Sequence, residues 1–171
     1  MLRIFLVDDN AMMRAHLRAV LERPQEWTVV GEAENGRRAV EAWSEHMPSL
    51  TVMDFVMPEM SGLDVCRELR ASRRTASIYV ILLTARNDAA DIVAGLRAGA
   101  DDYVTKPVQA EELRARVQLG CRIIELRAAL KTEVGALAVA LAREKLLLNR
   151  LALIPERTSR RTSRKEIASV V

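Results

Sequence analysis

A chain of 171 residues, half of them hydrophobic and 29% charged, is long enough for one domain with a real core plus an additional element, and its composition is that of a globular protein. Aromatic residues, at 4%, are too sparse for stacking platforms on nucleic-acid bases, and no apolar run approaches the ~20 residues of a membrane span. The net charge of +3 lies wholly after Pro155, where Arg157, Arg160, Arg161, Arg164 and Lys165 face only Glu156 and Glu166, so the preceding residues are formally neutral and offer no basic nucleic-acid face.

The chain opens on MLRIFLVDDN, a short apolar run that ends in acid and lacks a secretory-signal pattern. Residues 2–7 predict a strand buried on both faces. AMMRAHLRAVLE (11–22) sets Met12, Ala15, Leu17, Ala19 and Val20 at near-helical spacing behind Asn10, a suitable N-cap. WTVVGEA (27–33) predicts a second strand, and GRRAVEAWSEH (36–46) a second helix capped by Asn35. LTVMD (50–54) reads as a third strand, SGLDVCRELRA (61–71) as a helix and IYVILLT (78–84) as a fourth strand. DAADIVAGLRAG (88–99) is a helix closed by glycine, and DYVT (102–105) a short fifth strand. From Val108 the pattern stays helical to about Pro155. Met57 and Met60 read as gap-filling core, His16 and His46 as surface or half-buried helix positions. Cys66 and Cys121, far apart in helical sequence, suit a reducing cytoplasm and suggest neither a disulfide framework nor a metal knuckle.

Five short strands alternating with helices predict an α/β fold, a doubly wound parallel sheet covered on both faces. Ligands bind such sheets at the carboxyl ends of the strands. Asp8 and Asp9 end the first strand, Asp54 the third and Thr84 the fourth, while Lys106 follows the fifth. In a flavodoxin-like strand order, 2-1-3-4-5, the first and third strands are neighbours and the three carboxylates converge. Three carboxylates repel one another unless a cation joins them. Mg²⁺ answers that repulsion, since it favours one or two carboxylates with water and a phosphoryl group over a full protein cage. Lys106 adds an ammonium and Thr84 a hydroxyl, a set suited to in-line phosphoryl transfer onto a carboxylate. Taken singly, Asp8-Asp9-Asn10 also reads as a strand exit with a cap, Lys106-Pro107 as a plain loop, and Tyr103 as ordinary packing. Their joint occurrence favours the chemical reading.

Four motifs, LVDDN (6–10), MDFVMPEMSG (53–62), LLTA (82–85) and GADDYVTKP (99–107), stand in order at the predicted strand ends. With them residues 1 to about 122 resemble the CheY-like receiver domains of two-component response regulators. The resemblance implies that Asp54 is the phosphoacceptor. It implies direct Mg²⁺ ligation by Asp9, Asp54 and the backbone carbonyl of Val56, with Asp8 sharing the ion or holding it through water. Lys106 would pair with phosphoryl oxygens, Thr84 would be the switch hydroxyl and Tyr103 the switch aromatic. The Lys106–Pro107 bond is expected to be cis, and Ala85 small enough to leave room above the phosphoryl group.

The helix continues well past such a domain. Leu119, Ile123, Leu126 and Leu130 follow a 4-3-4 spacing; a step of four then leads to Val134, and Leu137, Leu141, Leu148 and Leu151 continue at heptad positions, with Glu144 in the intervening core place. This is a coiled-coil seam with one stutter, and it predicts a parallel homodimer through residues 119–153. The alternative is a helix that folds back on its own domain, bending at Gly120 or Gly135. The expected organisation is a receiver domain over 1–122, a signalling helix over 123–154 and a basic, disordered tail over 155–171. The end of the helix, LLLNRLALIPERTSRR, is weakly similar to the junction that opens the cyclase in receiver–diguanylate cyclase proteins. The leading expectation is a cytoplasmic response regulator, without a catalytic domain of its own, that takes phosphate from a histidine kinase or phosphotransfer protein and signals to an effector. The alternatives are an adaptor or structural coiled-coil protein with a receiver fold, and a truncated receiver–cyclase. A DNA-binding regulator would need a second basic domain, so no nucleic-acid or membrane partner is expected.

Overall fold

β-branched and leucine-rich runs bounded by turn residues form five strands: β1 (Leu2–Val7), β2 (Trp27–Ala33), β3 (Leu50–Asp54), β4 (Tyr79–Thr84) and β5 (Asp102–Thr105). They are described by a computed structural model that covers residues 1–23, 25–85 and 89–152. All pairs are parallel and the order is β2-β1-β3-β4-β5, as expected. The central strands β3 and β4 are buried at every position, which explains why they read as continuous apolar runs rather than alternating ones.

Alternate residues of each strand feed opposite cores. Ile4, Leu6, Leu50, Val52, Ile81, Leu83 and Val104 pack beneath α1 (Ala11–Leu21) and the first turns of α5 (Ala110–Ala152), through Leu17, Val20, Leu21, Leu113 and Val117. Phe5, Val7, Met53, Val80 and Leu82 face α2 (Gly36–His46), α3 (Gly62–Ala71) and α4 (Ala89–Ala98), through Ala39, Trp43, Val65, Cys66, Leu69 and Ala98. The caps at Asn10 and Asn35 hold as read. Asn10 accepts from the Met12 and Met13 amides and Asn35 from that of Arg38; Ser61, read as the first residue of its helix, is instead the cap of α3 and accepts from the Asp64 amide. Gly99 closes α4 at φ +106°, a conformation that side chains rarely adopt. Met57 is buried, Met60 packs against the second core, His16 is exposed and His46 lies 5.4 Å from the Phe5 ring.

The alternative of a bend at Gly120 or Gly135 is not what the structure shows. α5 runs unbroken for 43 residues through both glycines. Gly120 serves close packing instead, because a Cβ there would lie 2.8 Å from the Tyr79 ring and 3.0 Å from Leu50. The chain divides into two units, Met1–Leu126 and the residues from Arg127 onward. No helix among the described residues is long and apolar enough to cross a membrane. The expected tail over 155–171 lies outside the described residues.

Candidate functional site at the strand ends

The site is assembled by three strand exits. β1 delivers Asp8, fully buried, and then Asp9, exposed, before the chain turns into α1. The turn is locked by the Asp8 carboxylate, whose Oδ1 accepts from the Asn10 amide at 2.9 Å. β3 ends on Asp54, and the chain reverses at once into α3. Gly62 makes that reversal possible, since a Cβ on it would lie 2.6 Å from the Asp54 carbonyl oxygen. β5 leads to Lys106, whose amide donates to the Thr84 carbonyl at 2.7 Å, and the Lys106–Pro107 bond is cis.

These exits bring the predicted residues together. Carboxylate oxygens of Asp8, Asp9 and Asp54 all lie within 4.8 Å of one another. The Lys106 ammonium reaches into the group, 2.8 Å from Asp54 Oδ2 and 3.2 Å from Asp8 Oδ2. Burial pushes the Asp54 carboxyl above its ordinary value and the Asp8 charge adds to the rise, although Lys106 and the Val56 amide oppose it. Burial pulls the Lys106 ammonium down, but Asp54 and then Asp8 together outweigh it, so the net movement is upward. One ammonium thus faces three carboxylates. The donor set is all oxygen, compact and left negative, which fits a hard divalent cation such as Mg²⁺.

Thr84 is buried at the end of β4, and Tyr103 is half-buried on β5. Both line a small cavity of ≈ 10 Å³ with Phe55, Leu82, Ile92 and Leu96, about the space of one water molecule. Val56 and Ala85 are exposed beside the carboxylates' strand ends. Two contacts were not read from the sequence. Arg116 of α5 pairs with buried Asp102 at 3.1 Å, with its guanidinium 6.0 Å above the Tyr103 ring. Arg14 of α1 donates to the Asp8 carbonyl at 2.6 Å. Each joins residues whose proximity depends on helix placement, and no motif or spacing marks them.

The chain matches the response regulator receiver domain family over residues 4–118. It is 40% identical over 121 residues to the DNA-binding response regulator MtrA of Mycobacterium tuberculosis, a match that covers 70% of this chain and 50% of MtrA. It is 37% identical over 149 residues to the virulence transcriptional regulatory protein PhoP of Salmonella typhi, covering 87% of this chain and 65% of PhoP. The chain therefore spans about half to two thirds of the length of these relatives. Among solved structures, the signal receiver domain of a signal transduction histidine kinase from Syntrophus aciditrophicus superposes with a TM-score of 0.62 at 36% identity, covering 70% of this chain and 89% of that domain. With five parallel strands in the flavodoxin-like order and an acidic cluster at their ends, this chain belongs to the receiver domain family of two-component response regulators.

Proposed function

We propose that the chain is a phosphorylation switch in which Asp54 accepts a phosphoryl group from the phosphohistidine of a sensor histidine kinase or a phosphotransfer protein. The observation that carries this reading is the meeting of Asp8, Asp9 and Asp54 within 4.8 Å, with Lys106 on Asp54 at 2.8 Å. An Asp54 carboxylate oxygen attacks phosphorus, the P–N bond to the donor imidazole breaks, and the imidazole leaves with that electron pair and takes up a proton. Receiver domains bind Mg²⁺ at such an acidic pocket; here Asp9, Asp54, the Val56 carbonyl and Asp8 would hold the ion, which supplies charge neutralisation and alignment when bound. The Lys106 ammonium pairs with phosphoryl oxygens, and the Thr84 hydroxyl donates to them. Tyr103 then moves inward over the cavity that it shares with Thr84. Slow attack by water returns Asp54 to its free state. The reading carries a cytoplasmic setting with it.

The output is the long helix. Leu126, Leu130, Val134, Leu137, Leu141 and Leu148 are each between 57% and 70% exposed in the single chain. We assign this seam, within residues 119–153, to a parallel homodimer that joins the receiver domain (1–122) to an effector through the helix over 123–154. Each Leu that becomes buried contributes roughly 1.5–3 kcal/mol, and across two chains the sum exceeds the loss of freedom on association. The stutter after Leu130 allows two closely balanced registers, through which a change at the receivers could travel.

Intact-mass analysis after incubation with acetyl phosphate and Mg²⁺ tests the chemistry. One phosphoryl group is expected on the wild type and none on Asp54→Asn; equal labelling of the variant overturns the assignment. Light scattering tests the output, for which a full-length monomer at micromolar concentration is the overturning result. A dimer whose Asp54 never labels would instead identify an adaptor with a receiver fold.

A further inference from the structure

Asp9, the exposed carboxylate of the cluster, has no hydrogen bond or ion pair of its own among the described residues. Its position is set by the backbone on either side. On the far side, the Asn10 amide is tied to Asp8 Oδ1, and the Asn10 side chain caps α1 at the Met12 and Met13 amides. On the near side, the Asp8 carbonyl oxygen points out of the sheet at the end of β1. It is taken by the Arg14 guanidinium, which donates from its Nη1 at 2.6 Å. The Arg14 amide closes the first turn of α1 on the Asn10 carbonyl at 3.1 Å, so the main chain and side chain of one residue grip both ends of the turn. Arg14 is itself held. Its Nε donates to Glu32 Oε2 at 3.2 Å, and Glu32 is fixed from its other oxygen by Arg18 Nε at 2.7 Å. The Arg14 side chain is only 17% exposed, which leaves the guanidinium few other partners.

We propose that Arg14 is a positioning residue for cation binding: anchored by Glu32, it holds the Asp8–Asp9–Asn10 turn so that Asp9 faces Asp8 and Asp54. This inference rests on the assignment of the acidic cluster to Mg²⁺. A residue behind a ligand that fixes its orientation commonly governs metal affinity by about 10–100-fold. Arg18 makes the control, because it shares Glu32 but does not reach the Asp8 carbonyl.

The test is Mg²⁺ titration by calorimetry on the full chain, wild type against Arg14→Met, Arg14→Lys and Arg18→Met, followed by labelling rates from acetyl phosphate across Mg²⁺ concentration. Arg14→Met should weaken Mg²⁺ about tenfold and raise the half-saturating Mg²⁺ for labelling by the same factor, with the rate at saturating Mg²⁺ nearly unchanged. Arg14→Lys keeps the charge and can satisfy one of the two acceptors, so it should fall between wild type and Arg14→Met; it decides the matter should Arg14→Met fail to fold. Arg18→Met should bind Mg²⁺ as the wild type does. Wild-type affinity in both Arg14 variants overturns the inference, as does a labelling rate that falls at saturating Mg²⁺ with no change in half-saturation. A wild type that neither binds Mg²⁺ nor labels removes the underlying site assignment, and this inference with it.

Discussion

Lys106 Nζ lies 2.8 Å from Asp54 Oδ2, an ion pair that joins the end of β3 to the loop after β5. It also reaches Asp8, so one ammonium offsets the mutual repulsion of two buried carboxylates. Lys106→Met removes that charge and leaves both carboxylates facing each other. The variant should lose about 1–3 kcal/mol at neutral pH without divalent cation, and recover more than the wild type does when Mg²⁺ is added. The raised Lys106 value means that the stabilisation is fully present below its ordinary 10.5 and is lost as pH rises through the folded-state value. Thermal denaturation with and without Mg²⁺ checks both parts; a Lys106→Met variant as stable as the wild type would refute the account.

Asp54 shares that pH direction, but its charge costs stability where that of Lys106 adds it. Its carboxyl is raised above the ordinary 3.8, so the folded protein binds more protons than the unfolded chain from that pH upward to the raised value, and stability falls as pH rises across that window. Asp54→Asn, neutral at every pH, should therefore melt above the wild type at pH 7 without Mg²⁺, with the gap closing as pH falls towards 3.8. Added Mg²⁺ should favour the wild type. A variant that melts below the wild type at neutral pH without Mg²⁺ runs against this.

Asp9→Ala should weaken Mg²⁺ binding by more than Thr84→Ala, since only Asp9 offers a charged ligand. Thr84→Ala should still take up phosphate at Asp54 while losing the movement of Tyr103. Calorimetry compares the affinities, and tyrosine fluorescence with and without beryllofluoride follows the ring. Equal Mg²⁺ affinity in the two variants would count against the proposed ligand set.

The two glycines of α5 should respond in opposite directions. Gly120→Ala drives a methyl to within 3.0 Å of Tyr79 and Leu50, and is expected to destabilise by about 1–3 kcal/mol. Gly135→Ala meets nothing within 4 Å and should stabilise the helix by about 0.5–1 kcal/mol. Denaturant midpoints separate them; the same sign for both would contradict the packing.

The two thiols should differ in reactivity. Burial pushes Cys66 up to about 12, and the opposing charges of Arg70 and Arg67 do not bring it back. Cys121 is only half-buried, and burial together with the Glu125 carboxylate raises it less. A thiol reagent at pH 8 should modify Cys121 slowly and leave Cys66 intact until the protein is unfolded. Rapid modification of Cys66 in the native protein would mean that its cover over β4 is not closed.

Local physics made much of this protein readable in advance. A strand buried on both faces of a parallel sheet is apolar along most of its length, so β3 and β4 stood out as near-continuous runs, and β1 did so apart from Arg3. A carboxylate directly after such a run must emerge at a strand end, which placed Asp8, Asp9 and Asp54 together once β1 and β3 were neighbours. The caps at Asn10 and Asn35 lay where a helix begins, because the unpaired amides of a first turn call for an oxygen there. The tertiary structure alone decided the rest. Gly120 was open to reading as a bend because a helix pattern carries no record of what packs against it, and only the placement of Tyr79 and Leu50 makes it a close contact. The pairing of Arg116 with Asp102 beside Tyr103, and the grip of Arg14 on Asp8, join side chains brought together by helices docked on the sheet. Long guanidinium side chains reach in many directions from one backbone position. Sequence spacing therefore fixed which face they leave from, and the fold chose the partner.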